Sequence, residues 1–276
     1  MYEDIICFYD DFFHNKGDLN LKKDFIKKFL SDCKIYKFIP FDEDIKLNNS
    51  KIFALKNNKM WVSCIHSFDD KSEFECNIDY PKAESDLRKI GIHVSAKELS
   101  SFMKTIKELH DVTSFTISIT EEMWKEYGNN HNGICLEFSL INCEKFYPII
   151  YLDKENFDYT DLLVKAQEIL KNVNDYNCLK SYDFLKFSHL LYILKDKKDY
   201  GFESELRYLG DPYDDDTKAL EPYIYAGKKE EIAYKGHLED YNQCGIKIER
   251  VIVGSNISKS ILEQLQELNE INITFE

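Results

Sequence analysis

Three short stretches hold side chains whose types and spacing suit chemistry on a sugar or a phosphate. In Tyr200-Gly201-Phe202-Glu203-Ser204-Glu205-Leu206-Arg207-Tyr208, two carboxylates and a guanidinium alternate. On an extended strand all three project from one face, and Phe202, Leu206 and Tyr208 from the other. Such carboxylates can stabilise an oxocarbenium-like centre at an anomeric carbon, and the neighbouring arginine can orient one of them. The plain alternative is a structural ion pair between Arg207 and one acid, because edge strands carry solvated charge ladders. In Met60 to Glu75, a strand delivering Trp61 and Ser63 to one face runs into a loop with Asp69, Asp70, Glu73 and Glu75. That layout sets a hydroxyl and carboxylates beside an aromatic wall, against the alternative of a capped surface turn with solvated acids. In Met123 to Phe138, Trp124 and Tyr127 stand three apart and share a helical face, His131 lies in a polar loop, and Gly133 frees the backbone before a strand. The aromatic pair could floor a pocket for a flat ring, or simply pack its helix on a sheet.

These stretches need elements to position them. Leu21, Phe25, Phe29 and Cys33 recur every four residues and predict an amphipathic N-terminal helix. Residues 34–39 alternate as a strand that stops at Pro40, residues 59–64 form a second strand, and the Asn-rich segment between them holds a helical turn. Ser95-Ala96-Lys97-Glu98 is a capping box for a helix over 96–110. Strands follow at 113–119, 133–141 and 146–152, with a two-turn helix at 121–127 between the first two. Helices are expected at 159–173 and 181–196, and strands near 203–209, 222–226, 230–235 and 247–253. Ser258 caps a helix containing Ile261, Leu262, Leu265 and Leu268, and residues 271–275 form a last strand. The expected architecture is a single α+β domain over 34–276, a mixed and mostly antiparallel sheet flanked by helices, with residues 1–33 as an N-terminal helical extension.

The 276 residues include 36 Lys+Arg and 50 Asp+Glu, a net charge of −14, which argues against a generally basic nucleic-acid binder. With only 10 Gly there is neither a G-x-x-x-x-G-K-[ST] nor a G-x-G-x-x-G run, so P-loop and Rossmann phosphate sites are excluded. H-E-x-x-H and G-x-S-x-G are absent too, so any activity must come from dispersed residues. The 8 cysteines form no C-x-x-C pair, and neither a structural zinc site nor a disulfide frame is signalled. Acids at Glu3 and Asp4 stand where a secretory signal carries Lys or Arg, and no apolar run approaches membrane length. The chain is expected to be cytoplasmic, with no membrane partner.

In chain order the three stretches resemble the bacterial family named domain of unknown function 2971. That family shows a Lys-aromatic strand, then W-x-S-x-P-x-x-F-N-D-P-F-E-like, M-W-x-H-Y-A…H-x-G-x-C-x-E-F and W-x-x-E-x-E-x-R segments. The counterparts here are Tyr36-Lys37-Phe38, Trp61 to Glu75, Met123 to Phe138 and Tyr200 to Arg207, with Ile252-Val253-Gly254 similar to a late strand and glycine. The resemblance covers about residues 34–255. It departs at Ile65 and Lys71 for Pro, Asp69 for Asn, Tyr200 for Trp, and Glu126 for His, which removes any role for a histidine there. The order of a Lys-aromatic strand, an aromatic-x-Ser strand and a late E-x-E strand also looks similar in layout to ADP-ribosyltransferase folds. That likeness implies an NAD-using, ADP-ribosyltransferase-like enzyme of a bacterial toxin or phage-defence system, with NAD as substrate and a protein or nucleic-acid acceptor. Glu205, with Glu203, would be the catalytic carboxylates; Lys37, Trp61, Ser63, Trp124, Tyr127 and Arg207 would line the donor pocket. Two alternatives stay open. One is a non-enzymatic sensor or partner-binding module of a defence system. The other is a metal-dependent nuclease holding divalent ions on Asp69, Asp70, Glu73, Glu203 and Glu205.

Overall fold

The computed structural model describes residues 19–30, 33–68, 74, 77–106, 110–153, 159–161, 163–164, 167–168, 192–196, 200–210, 235–268 and 272–276. Six helices of more than one turn are present among them: α1 (Leu19–Phe29), α2 (Ile45–Lys56), α3 (Tyr80–Lys89), α4 (Ala96–Ile106), α5 (Glu121–Glu126) and α6 (Lys259–Gln266). The strands are β1 (Lys34–Pro40), β2 (Lys59–Cys64), β3 (Asp111–Thr116), β4 (Gly133–Leu140), β5 (Phe146–Pro148), β6 (Ile150–Leu152), β7 (Leu194–Asp196), β8 (Glu205–Gly210), β9 (Gly236–Asp240), β10 (Ile246–Val253) and β11 (Asn272–Phe275). The molecule is α+β, and its main sheet is mixed and mostly antiparallel.

Local chemistry explains most boundaries. The Ser95 backbone donates to Glu98 at 2.8 Å and the Glu98 backbone to Ser95 at 3.2 Å, the reciprocal bonds of a capping box. Asp44 accepts from the Leu47 backbone at 3.1 Å and starts a full three-turn helix where only a turn was expected. Asp79 caps α3, which no sequence pattern announced. Three expectations need correction. Residues 146–152 are two strands in different sheets, because the Ile149 backbone turns to donate to the Glu205 carbonyl at 3.0 Å. Residues 194–196, read as the end of a helix, are β7, paired in parallel with β6. The strand expected from 203 begins at Glu205, since Ser204 has φ 47°, a left-handed conformation no strand tolerates. Of the helices expected at 159–173 and 181–196, residues 169–191 lie outside the described residues, as do the strand expected at 222–226 and residues 230–234 of the one expected at 230–235.

The main sheet runs β11-β10-β4-β1-β3-β2-β9, with β8 on β3 and β5 on β8. β8 pairs with β3 from Asp111 through Thr116 and occupies one whole edge. β1 and β2 must therefore divide the other edge: β1 meets it at Thr116, and β2 at Asp111 and Val112. Between these contacts Thr113, Ser114 and Phe115 face a split in the sheet.

Each face of the sheet carries its own apolar core. On one, Ile26 of α1, Ile52 and Leu55 of α2, and Ile261 and Leu265 of α6 pack on Ile35, Leu136, Phe115 and Leu206. On the other, Leu87 of α3 and Leu99 of α4 join Tyr151, Leu194, Val112 and Leu209. The alternation of Leu206 and Tyr208 with Leu209 along β8 follows from the pleat. The N-terminal helix is tied into this packing through Ile26, Leu30 and the buried Lys22, whose ammonium lies 3.9 Å from the Tyr147 ring centre.

Candidate functional site

A cavity of about 370 Å³ opens at the split, walled on one side by β1 and on the other by β3 and the approach to β8. Its size falls in the range of small-molecule sites. Lys37, Ser63, Tyr127, Glu203 and Glu205 all line it, together with Lys195, Ser114, Tyr36, Phe68 and Tyr200. Residues from five separate stretches of chain thus converge on one cleft.

The carboxylates form its floor. Both are buried, at 4% exposure for Glu203 and 3% for Glu205, and they share one ammonium: Lys195 Nζ lies 2.6 Å from Glu203 and 3.1 Å from Glu205. Arg207 Nε donates to the other oxygen of Glu205 at 2.7 Å, and the Ser114 hydroxyl donates there too. The Tyr127 hydroxyl donates to Glu203. The left-handed turn at Ser204 lets Glu203 reach Lys195 from outside the strand, and Thr116 Oγ1 holds that turn by donating to the Glu203 carbonyl at 2.6 Å.

These surroundings separate the two acids. Burial pushes both carboxyls up. For Glu205, the charges of Arg207 and Lys195, with hydrogen bonds from Arg207 and Ser114, outweigh burial and hold it well below the usual carboxylate range. For Glu203, burial wins against Lys195, helped by the adjacent Glu205 charge, and the carboxyl is raised. A firmly ionised carboxylate therefore stands beside one closer to the range where protons are exchanged.

Lys37 forms the opposite wall. It donates to Thr113 Oγ1 at 2.6 Å and to the Ser114 carbonyl at 3.2 Å, both on the unpaired edge of β3. Among the described residues no carboxylate lies in ion-pair contact with it, whereas Lys195 has two. Burial brings its ammonium down to about 8, with the Glu205 charge acting in the opposite sense.

The remaining expected residues fall elsewhere. Arg207 is fully buried behind Glu205, with a second nitrogen on the Tyr192 carbonyl at 2.7 Å, so it positions the carboxylate rather than meeting a phosphate. Trp124 turns away from the cleft into a small cluster, edge-on to Phe38 at 4.9 Å and stacked on His131 at 5.4 Å. Trp61 shares the face of Ser63 but stands opposite Leu238 of β9, outside the cavity lining. Asp69, Asp70 and Glu73 lie outside the described residues. Among those described, one group suited to a metal ion is Glu121, His131 and Glu276, with ligating atoms within 4.8 Å of one another. His131 there spans the two acids, at 2.6 Å from Glu276 and 3.4 Å from Glu121.

Sequence reasoning missed Lys195, Ser114 and Thr113. Lys195 opens the run Lys-Asp-Lys-Lys-Asp, which composition reads as a solvated face. The only signal was negative: two acids two residues apart on a buried strand require a cation from somewhere. No protein family, curated protein or solved structure matches this chain. Among the described residues, no helix is long and apolar enough to cross a membrane.

Proposed function

We propose that the cleft cleaves an N-glycosidic bond in the manner of an ADP-ribosyltransferase, with NAD as donor. One observation carries this: two carboxylates bridged by Lys195 face, across the split between β1 and β3, an ammonium with no carboxylate partner among the described residues. When the bond between the nicotinamide nitrogen and ribose C1′ breaks, its electron pair passes to nitrogen and positive charge develops on the sugar. Glu205, held ionised, is suited to stabilise that charge. The acceptor's lone pair then closes on C1′, and its proton passes to Glu203 or to water. Tyr36, Phe68 and Tyr200 supply aromatic faces for the nicotinamide, and Lys37 an anchor for phosphate.

The test is nicotinamide release from NAD by the purified chain. Glu205→Gln should lower the rate about 100-fold or more while the variant stays folded. An intact rate in that variant, or no release from NAD with any acceptor, removes the proposal.

The full engagement of Glu205 by three donors favours one other possibility, a binding module in which the network only holds β8 to β3 and β7. In that case Glu205→Gln lowers the melting temperature and no turnover exists to lose. For a metal-dependent nuclease, Lys195 sits between the carboxylates where an ion would bind, and that disfavours it.

A further inference from the structure

We infer that the unit recognised by the cleft is a 5-phosphoribosyl group bearing a planar ring, so that a nicotinamide mononucleotide fills it and the adenylate half of NAD lies outside. This rests on the glycosyl-cleaving proposal above and narrows its substrate class. The volume, about 370 Å³, is near the lower end of small-molecule sites and suits a mononucleotide rather than a dinucleotide twice its size.

The spacing of charges agrees with this. Ser114 holds both ends of the site: its carbonyl accepts from Lys37 and its hydroxyl donates to Glu205. The ammonium and the carboxylate are thus separated by little more than one residue. In a ribosyl 5-phosphate, one sugar ring and one methylene separate the phosphate from the anomeric carbon. A phosphate on Lys37 therefore brings C1′ to the carboxylates. An ammonium has three donors; Thr113 and Ser114 take two, leaving the third for a phosphate oxygen. The Ser63 hydroxyl, on the same side of the split, offers a further donor. A second phosphate would need a second cation without a carboxylate partner, and among the described residues lining the cleft Lys37 alone meets that condition.

Isothermal titration of the full chain with nicotinamide mononucleotide, NAD and nicotinamide riboside tests this. The mononucleotide should bind within about tenfold of NAD, and the riboside, lacking phosphate, at least about tenfold more weakly than the mononucleotide. Lys37→Met should abolish the difference between mononucleotide and riboside, and Lys37→Arg should largely restore it, which separates loss of the anchor from misfolding. NAD binding about 100-fold tighter than the mononucleotide, or Lys37→Met without effect, overturns the inference and leaves NAD cleavage standing. Mononucleotide binding that depends on Lys37, with no nicotinamide released from either the mononucleotide or NAD, supports phosphoribosyl recognition and removes the glycosyl-cleaving proposal. Absence of binding by all three ligands removes both.

Discussion

Lys37 and the carboxylates face each other with opposite electrostatic histories. Glu205 is buried among cations and stays ionised, while Lys37 is desolvated beside the neutral oxygens of Thr113 and Ser114 and gives up its proton at about 8 instead of 10.5. The sign of the pH effect follows. Below about pH 8 the ammonium is charged and holds a phosphate; as pH rises through that value the charge is lost while the chain is still folded. Mononucleotide affinity should thus fall between pH 7.5 and 9.5, approaching tenfold per unit at the upper end, since the phosphate is already dianionic throughout. A calorimetric series across that range checks it, and a flat profile would remove Lys37 as the anchor. Stability moves the other way from this group: between about 8 and 10.5 the unfolded chain binds the extra proton, so raising pH relieves the fold of a buried charge. Among these residues Glu203, Glu205 and Ser63 were legible from alternation within a short stretch, and Lys37 from the resemblance in layout. Lys195 was not, because its surroundings in the chain are solvated charges and its partners come from a different segment.

At the level of elements, the site exists because β3 is contacted by three strands. Its edge is filled by β8 on one side and shared between β1 and β2 on the other, and the gap left in that shared edge is the cleft. The far end of this junction is closed by His237 of β9, whose ring bonds Asp111 of β3 at 2.9 Å and Glu239 at 2.8 Å. Glu239 also accepts from the Tyr208 hydroxyl at 2.7 Å, so one histidine links β9, β3 and β8. Burial would lower its pKa, yet the hydrogen bonds and charges of Asp111 and Glu239 prevail and raise it to about 9. Because the folded value is raised, this stabilisation is complete below about pH 6.5 and is lost as pH rises through 9. His237→Ala should cost about 2–3 kcal/mol in urea unfolding at pH 6.5, somewhat less than a fully buried pair, and the gap from wild type should narrow by pH 10. An equal gap at both pH values would show that the ring acts by packing and not by charge. Helix and strand identities here were largely readable from periodicity and caps. β7 and α3 were not: β7, Leu194-Lys195-Asp196, follows directly on an apolar run and so looks like the end of a helix, and α3 hides its apolar stripe, Ala83 and Leu87, among charges.

Over the whole molecule the net charge of −14 sets a repulsive background for any anionic ligand, and the cleft counters it only locally through Lys37. Association and affinity should then respond to salt in different senses. Raising ionic strength from about 10 to 150 mM shortens the Debye length from roughly 30 to 8 Å, which screens the distant acids before the contact with Lys37. The association rate of the mononucleotide, measured by stopped-flow, should rise over that interval; a falling rate would mean that the field at the mouth is positive. Composition, strand alternation, capping boxes and the exclusion of glycine-rich phosphate loops depend on neighbours within one helical turn or one pleat, which is why the class of fold and the carboxylate-bearing stretch could be read from the chain alone. The division of one edge of β3 between β1 and β2, the reach of Lys195 between two acids and the turning of Trp124 away from the cleft depend on pairings between segments far apart in sequence. Local patterns do not specify such pairings: they become favourable only when both faces of the sheet are packed together, so the three-dimensional structure was needed to show which residues share the cleft.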